Sequence, residues 1–233
     1  SSDVCSSDLF GYEKADEVRK KLIGFWNVYS FYCTYAKLDN FQPSEKWLQK
    51  DKLSLLDEWI LSKLHLLIDE AKQDFENFNV DKFLKKFEIF LDELSNWYVR
   101  QNRRRFWKSE NDSDKMIAFQ TLYHVLVHLV KILSPILPFV TERMFLNLTS
   151  QDSEENKTSV HLCSFPKSDE GLINSHLVDK MEILKTIIEN GRAVRKKANI
   201  KIRQPLSSLK IFTRNQDIHS FIIEQKQLIL DEL

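Results

Sequence analysis

The chain has 233 residues, 42% hydrophobic and 29% charged, with 34 basic and 34 acidic side chains and so no formal net charge. That balance suits a packed globular core and excludes a disordered chain or an all-over basic coat for a polyanion. Four glycines and five prolines are too few for a turn-rich β fold, and the scattered cysteines Cys5, Cys33 and Cys163, with no CxxC, exclude a disulfide framework or a zinc knuckle. No uninterrupted apolar run approaches the roughly 18 residues of a membrane span, so no membrane partner and a cytoplasmic setting are expected.

Residues 1–9, SSDVCSSDL, repeat SSD and lead into no periodic pattern, and are expected to be a non-native leader. There is no initiator Met, so the chain is expected to be part of a longer one. From Glu13 to Leu38, Val18, Leu22, Phe25, Trp26, Tyr29, Tyr32, Cys33 and Ala36 recur at three and four, which predicts a helix with a broad aromatic face. Lys50–Phe78 carries a second such stripe from Leu53 to Phe75. Asn79 can cap a third helix, whose stripe runs from Phe83 to Trp97 and Tyr98 and ends in a run of arginines. After the turn Asn111–Asp114, a fourth helix carries Met116 to Leu133, and Pro135 and Pro138 kink or restart it towards Leu148. These helices are expected to form one bundle over residues 10–149, followed by a polar linker at 150–158. Beyond it, residues 159–206 read as a junction: a short extended piece at Ser159–Phe165, then a helix from about Asn174 to Ala198. Residues 207–233 read as the start of an incomplete α/β piece, with a strand at Leu209–Thr213 and a helix at Ile218–Leu230. The expected fold class is mainly α.

Two basic stretches stand out of this neutral background. Asn96–Lys108, NWYVRQNRRRFWK, holds four arginines and a lysine among Trp97, Tyr98, Phe106 and Trp107, and no acid. On a helix, Arg100, Arg104 and Lys108 align, with Arg103 beside them. The three large rings Trp97, Phe106 and Trp107 are expected to be mainly core, since each lies in or at the end of an apolar stripe. The second stretch, RAVRKKANIKIR at Arg192–Arg203, holds six cations and no acid, with Arg192, Arg195 and Lys196 on one helical face. Cations without acidic neighbours in sequence suit phosphate, so both clusters are candidate RNA-backbone contacts on exposed faces. The alternative is a solvated face, or a helix end charged to suit its dipole.

Catalytic signals are missing. His124 and His128 are four apart on one face, but no carboxylate or cysteine nearby completes a metal set. There is no GxxxxGK[ST], GxGxxG or GxSxG. No catalytic residue, metal or cofactor is expected in this chain.

The runs GFWNVYSFYCTYAKLDNF, LDEWILSKLHLLI, NWYVRQNRRRFW and LSPILPFVTERMFLNL resemble, in words and in order, the anticodon-binding domain of class I isoleucyl-tRNA synthetases. SVHLCSFP and RAVRKKANIKIRQPLSSLKIF are similar to the junction that follows it. The resemblance covers about Gly11 to Phe212, and its NWYVR–RRRFW and IKIRQPL segments belong to the isoleucyl branch, while the general helical pattern is shared with valyl, leucyl and methionyl relatives. It implies an isoleucine-acceptor tRNA as partner, and the cation clusters make Arg100, Arg103, Arg104, Lys108, Arg192, Arg195 and Lys196 the expected contacts to its backbone. It also implies a parent that joins isoleucine to that tRNA with ATP and Mg, through a catalytic domain that packs against the bundle. HIGH and KMSKS, the signatures of that catalysis, are absent here. A non-enzymatic helical interaction domain, whose basic stretches are only surface charge, and the same domain of a valyl, leucyl or methionyl relative remain the alternatives.

Overall fold

The computed structural model describes residues 11–44, 50–107, 112–149, 159–201 and 204–233. The leader at 1–9, the linker at 150–158 and Lys108 lie outside the described residues. The first compact unit runs to Ile173 and the second from Asn174 to Leu233.

In the first unit the elements are α1 (Tyr12–Leu38), α2 (Leu55–Glu76), α3 (Val80–Glu93), a π-helical turn (Leu94–Val99), α4 (Arg100–Trp107), α5 (Ser113–Leu133) and α6 (Pro138–Leu148). Three of these starts have a local cause. Ser54 and Asp57 form a reciprocal capping box on α2, Asp112 caps α5 by accepting from the Lys115 amide, and Pro138 sits in the first turn of α6. Asn40, just past α1, takes the left-handed conformation (φ 50°) that turns the chain away.

The axis of the core is α5. Ala118, Phe119, Leu122, Val125, Leu126, Leu129, Val130, Ile132 and Leu133 are all fully buried. By length and composition α5 could cross a membrane, but its apolar surface is used against the other helices of the bundle. From α2 come Trp59, Ile60, Leu61, Leu64 and Ile68, and from α3 Phe83 and Phe87. From α1 come Phe25, Val28, Tyr29 and Tyr32, whereas Val18 and Trp26 of the expected aromatic face remain exposed. A salt bridge of 2.8 Å from the buried Lys115 to Asp39 ties the end of α1 to α5.

Residues 159–173 pack on this bundle. Val160–Leu162 forms a 3-10 turn within the piece expected to be extended, because Ser159 caps it and Glu142 of α6 accepts from both the Ser159 hydroxyl and the Val160 amide. The Ser62 hydroxyl of α2 donates to the Leu172 carbonyl at 2.8 Å, and the Asp169 amide donates to His65 Nδ1 at 3.1 Å.

In the second unit, α7 (Ser175–Lys197) packs against α8 (Gln216–Glu224) and α9 (Lys226–Glu232), with Leu177, Met181, Leu184 and Ile188 buried alongside Ile218, Phe221 and Ile229. Gly191 permits the closest approach: a Cβ there would meet the Leu233 side chain at 2.7 Å. The strand expected at Leu209–Thr213 is not formed, and no strand occurs among the described residues. β propensity needs a partner to pair with, and here Leu209 and Phe212 are left exposed without one. The α/β character expected of this tail is therefore replaced by helices, and the chain is mainly helical throughout its described residues.

His124 and His128 meet a third ring, His65 of α2, with centroids 4.0–6.1 Å apart. Burial pushes His124 down to about 2 and His128 down to about 4, and lowers His65. Among the described residues no group of three His, Cys, Asp or Glu is arranged to hold a metal. The three rings are packed in neutral form. Unfolded histidines take up protons near pH 6.5, but folded His124 and His128 resist until about pH 4 or below, and burial lowers His65 in the same direction. Between those limits the unfolded chain binds more protons, so stability falls as pH drops, by up to about 1.4 kcal/mol per pH unit for each histidine. The melting temperature should be level above pH 7 and fall from pH 6.5 to pH 5, and His124→Gln should reduce that slope. A melting temperature unchanged between pH 7 and pH 5 would contradict the neutral cluster.

Candidate nucleic-acid interface

The arginine run lies on α4, and the π turn before it sets which way each side chain faces. An extra residue in the turn shifts the phase of the helix relative to α3. From Tyr98 onward, Asn102 and Arg105 follow at i+4 and i+7 and share one face. Arg100, Arg103, Arg104 and Trp107 share the other.

The inward face converges on Asp57, the first-turn acid of α2, which is 0% exposed. Arg105 grips it with both ends of its fork, Nη1 to Oδ1 at 3.0 Å and Nη2 to Oδ2 at 2.9 Å. The Tyr98 hydroxyl donates to Oδ1 at 2.7 Å, and the Ser54 amide and hydroxyl donate to Oδ2 at 3.0 and 2.7 Å. Arg105 also donates through Nε to Asp114 Oδ1 at 2.9 Å and through Nη1 to Asn102 Oδ1 at 3.0 Å. Burial, and then the Asp57 charge, raises the Tyr98 hydroxyl well above its ordinary range, so it donates as a neutral phenol. A carboxylate at full burial would cost several kcal/mol unpaired, and this one is met by a bidentate charged donor. Arg105 is thus an internal tie between α4, α2 and α5, with only 13% of its side chain exposed.

The outward face is different. Arg100, Arg103 and Arg104 are exposed. Among the described residues Arg103 and Arg104 have no carboxylate partner. Arg103 lies over the Trp107 ring at 5.8 Å. Trp97 and Phe106 are buried, as expected, but Trp107 is 54% exposed. The expectation of core failed for Trp107 because the phase that buries Phe106 turns its neighbour outward.

The second cluster divides in the same way. Arg195, expected on an exposed face, is 4% exposed and donates to the backbone carbonyls of Lys201 (2.8 Å) and Gln204. It closes the turn after α7, where three successive cations in the last helical turn also suit the dipole. Arg192 is salt-bridged to Glu232 of α9. Lys196 is exposed, with no carboxylate partner among the described residues. Sequence reasoning missed Glu232 because it lies 40 residues along the chain. It missed Arg195 because the acceptors are main-chain carbonyls, which composition does not reveal.

Comparison with known proteins places this geometry in context. Residues 57–211 match the family described as the anticodon-binding domain of tRNA ligase. The chain is 40% identical over 215 residues to isoleucine–tRNA ligase of Dehalococcoides mccartyi strain CBDB1, covering 92% of this chain and 21% of that protein. It is 41% identical over 221 residues to the isoleucine–tRNA ligase of Clostridium novyi, covering 93% and 21% respectively. For that of Protochlamydia amoebophila the identity is 38% over 216 residues. The chain thus spans about a fifth of the length of these curated relatives.

The two faces of α4 should respond differently to truncation. Arg105→Ala leaves Asp57 buried without its fork and should cost about 3–5 kcal/mol, read as a large fall in the urea midpoint. Arg104→Ala should stay within about 0.5 kcal/mol of the parent. Equal, small effects for both would show that the tie to Asp57 does not hold α4 in place.

Proposed function

Because the chain belongs to the anticodon-binding domain family of tRNA ligases, we propose that it is the tRNA-holding part of an isoleucine–tRNA ligase. The similarity of about 40% to ligases of that name supports the amino-acid assignment. The carrying observation is the outward face of α4, where Arg100, Arg103 and Arg104 project from a rigid helix whose inward arginine is already committed. These three side chains meet phosphates of the tRNA. Guanidinium suits that role because its planar fork matches phosphate oxygens two at a time. Lys108 continues the same stripe in sequence, and Lys196 supplies a cation from the second unit. Arg192 and Arg195 are left out of this contact set, since Arg192 is salt-bridged to Glu232 and Arg195 is buried, with its Nη2 donating to main-chain carbonyls.

Ligation itself, with its ATP and Mg²⁺, belongs to other parts of the ligase, because no segment here matches HIGH or KMSKS. The exposed apolar side chains of α1, Val18, Ile23 and Trp26, give those parts a surface to pack on. The setting is the cytoplasm, where tRNA is charged.

Phosphate contacts release counterions, so each one adds to the salt dependence of binding without distinguishing sequence. In a filter-binding titration with an isoleucine-acceptor tRNA transcript, Arg100→Ala, Arg103→Ala and Arg104→Ala should each lower the log–log salt slope by about one. Arg192→Ala should leave it unchanged. A slope unaltered in all three α4 variants would remove this face from the tRNA contact.

A further inference from the structure

Trp107 is the one large ring of the arginine helix that the core does not absorb, with 54% of its surface exposed. Its orientation is nevertheless supported. A chain of rings leads to it from the centre of the bundle: Phe119 to Phe106 at 5.1 Å, Phe106 to Phe31 at 5.2 Å, Phe31 to Tyr35 at 4.8 Å, and Tyr35 to Trp107 at 6.3 Å. Phe119 and Phe106 are buried, Phe31 and Tyr35 are half-buried, and Trp107 emerges at the end. The ladder holds the indole from one side and leaves much of it to solvent. Tyr35 meets it at 45°, a supporting contact that does not cover a face as parallel stacking would.

An exposed tryptophan alone would fit a protein partner as well as a nucleic acid. The charge around it decides between them. Arg103 lies 5.8 Å from the ring centroid, and Arg100 and Arg104 share the same helix face. A protein surface docking here would have to bury three cations. An RNA strand brings phosphates to them and offers a flat base to the ring. Stacking needs an unpaired base, because paired bases present only their edges. It also gains from a ring whose conformational freedom is already restricted, as the ladder restricts this one.

We propose that Trp107 is a stacking platform for an unpaired base of the bound RNA, with Arg103 and Arg104 on the phosphates that flank that base. The proposal rests on the RNA-binding reading of α4 and adds to it a contact that distinguishes looped from paired RNA. The arginines supply affinity for any strand, and Trp107 supplies the preference for an unpaired one.

The test compares two RNA probes on the full chain: a hairpin with an unpaired loop carrying 2-aminopurine, and a blunt duplex of the same stem. The parent protein should bind both, hold the hairpin more tightly, and quench the loop fluorophore. Trp107→Ala should weaken the hairpin about tenfold or more, leave the duplex nearly unchanged and abolish the quenching. Trp107→Phe should retain most of the hairpin preference, because a ring remains. Circular dichroism melting should show both variants folded. Several outcomes would overturn the proposal. Equal weakening of both probes with a lower melting temperature would make Trp107 a structural residue. Unchanged binding of both would free it for a protein contact. Failure of the parent to bind either probe would overturn the RNA reading itself, which separates that failure from the failure of stacking alone.

Discussion

Everything at the proposed interface depends on one buried carboxylate. Asp57 is fully removed from solvent at the start of α2, where it closes the capping box with Ser54. An ionised group in that place must be paired, and the only cation that reaches it with a full fork among the described residues is Arg105. Meeting Asp57 fixes the rotation of α4 about its axis. Once Arg105 points in, helical geometry points Arg100, Arg103, Arg104 and Trp107 out. The π turn at Leu94–Val99 is the local adjustment that lets Tyr98 reach the same carboxylate while the α3 stripe stays on its own side of the core. The cost of burying a charge is thereby converted into a defined orientation for the remaining cations.

The same division recurs in the second unit. Arg195 and Arg192 serve the protein, one closing a turn and the other pairing with α9, and Lys196 alone of the three is left to solvent. A cation run in sequence is therefore a mixture of structural and solvent-facing groups. Only their phase on the helix, and the acids brought near by folding, separate the two kinds.

How much of this was legible beforehand varied with the range of the interaction. Helices were legible because apolar spacing is local: the stripes in α2, α3, α5 and α7 bury most of the residues that their periodicity marks, although Val194 near the end of α7 is exposed. Pro138 was readable as a start for the same reason, and Asn79 does precede α3, although its side chain makes no capping hydrogen bond there. The strand at Leu209–Thr213 was misread because β structure depends on a partner, which propensity does not supply. Trp107 was misplaced because it lies one residue past Phe106, where the helix phase turns outward. Arg105 is the instructive case. It lies seven residues after Tyr98, so its phase with a core residue was visible in the sequence, but its partner Asp57 lies 48 positions earlier. No local pattern connects them. Arg100, Arg103 and Arg104, on the opposite face of α4, are the ones the structure presents outward.

The most direct test of this partition is arginine-selective labelling with phenylglyoxal, read by mass spectrometry, with and without an isoleucine-acceptor tRNA transcript. In the free protein Arg100, Arg103 and Arg104 should react readily, and Arg105, held by Asp57 and Asp114, should not. Adding tRNA should protect the three outward arginines and leave Arg105 as it was. A reactive Arg105 in the folded free protein, or outward arginines that label equally with and without tRNA, would contradict the account.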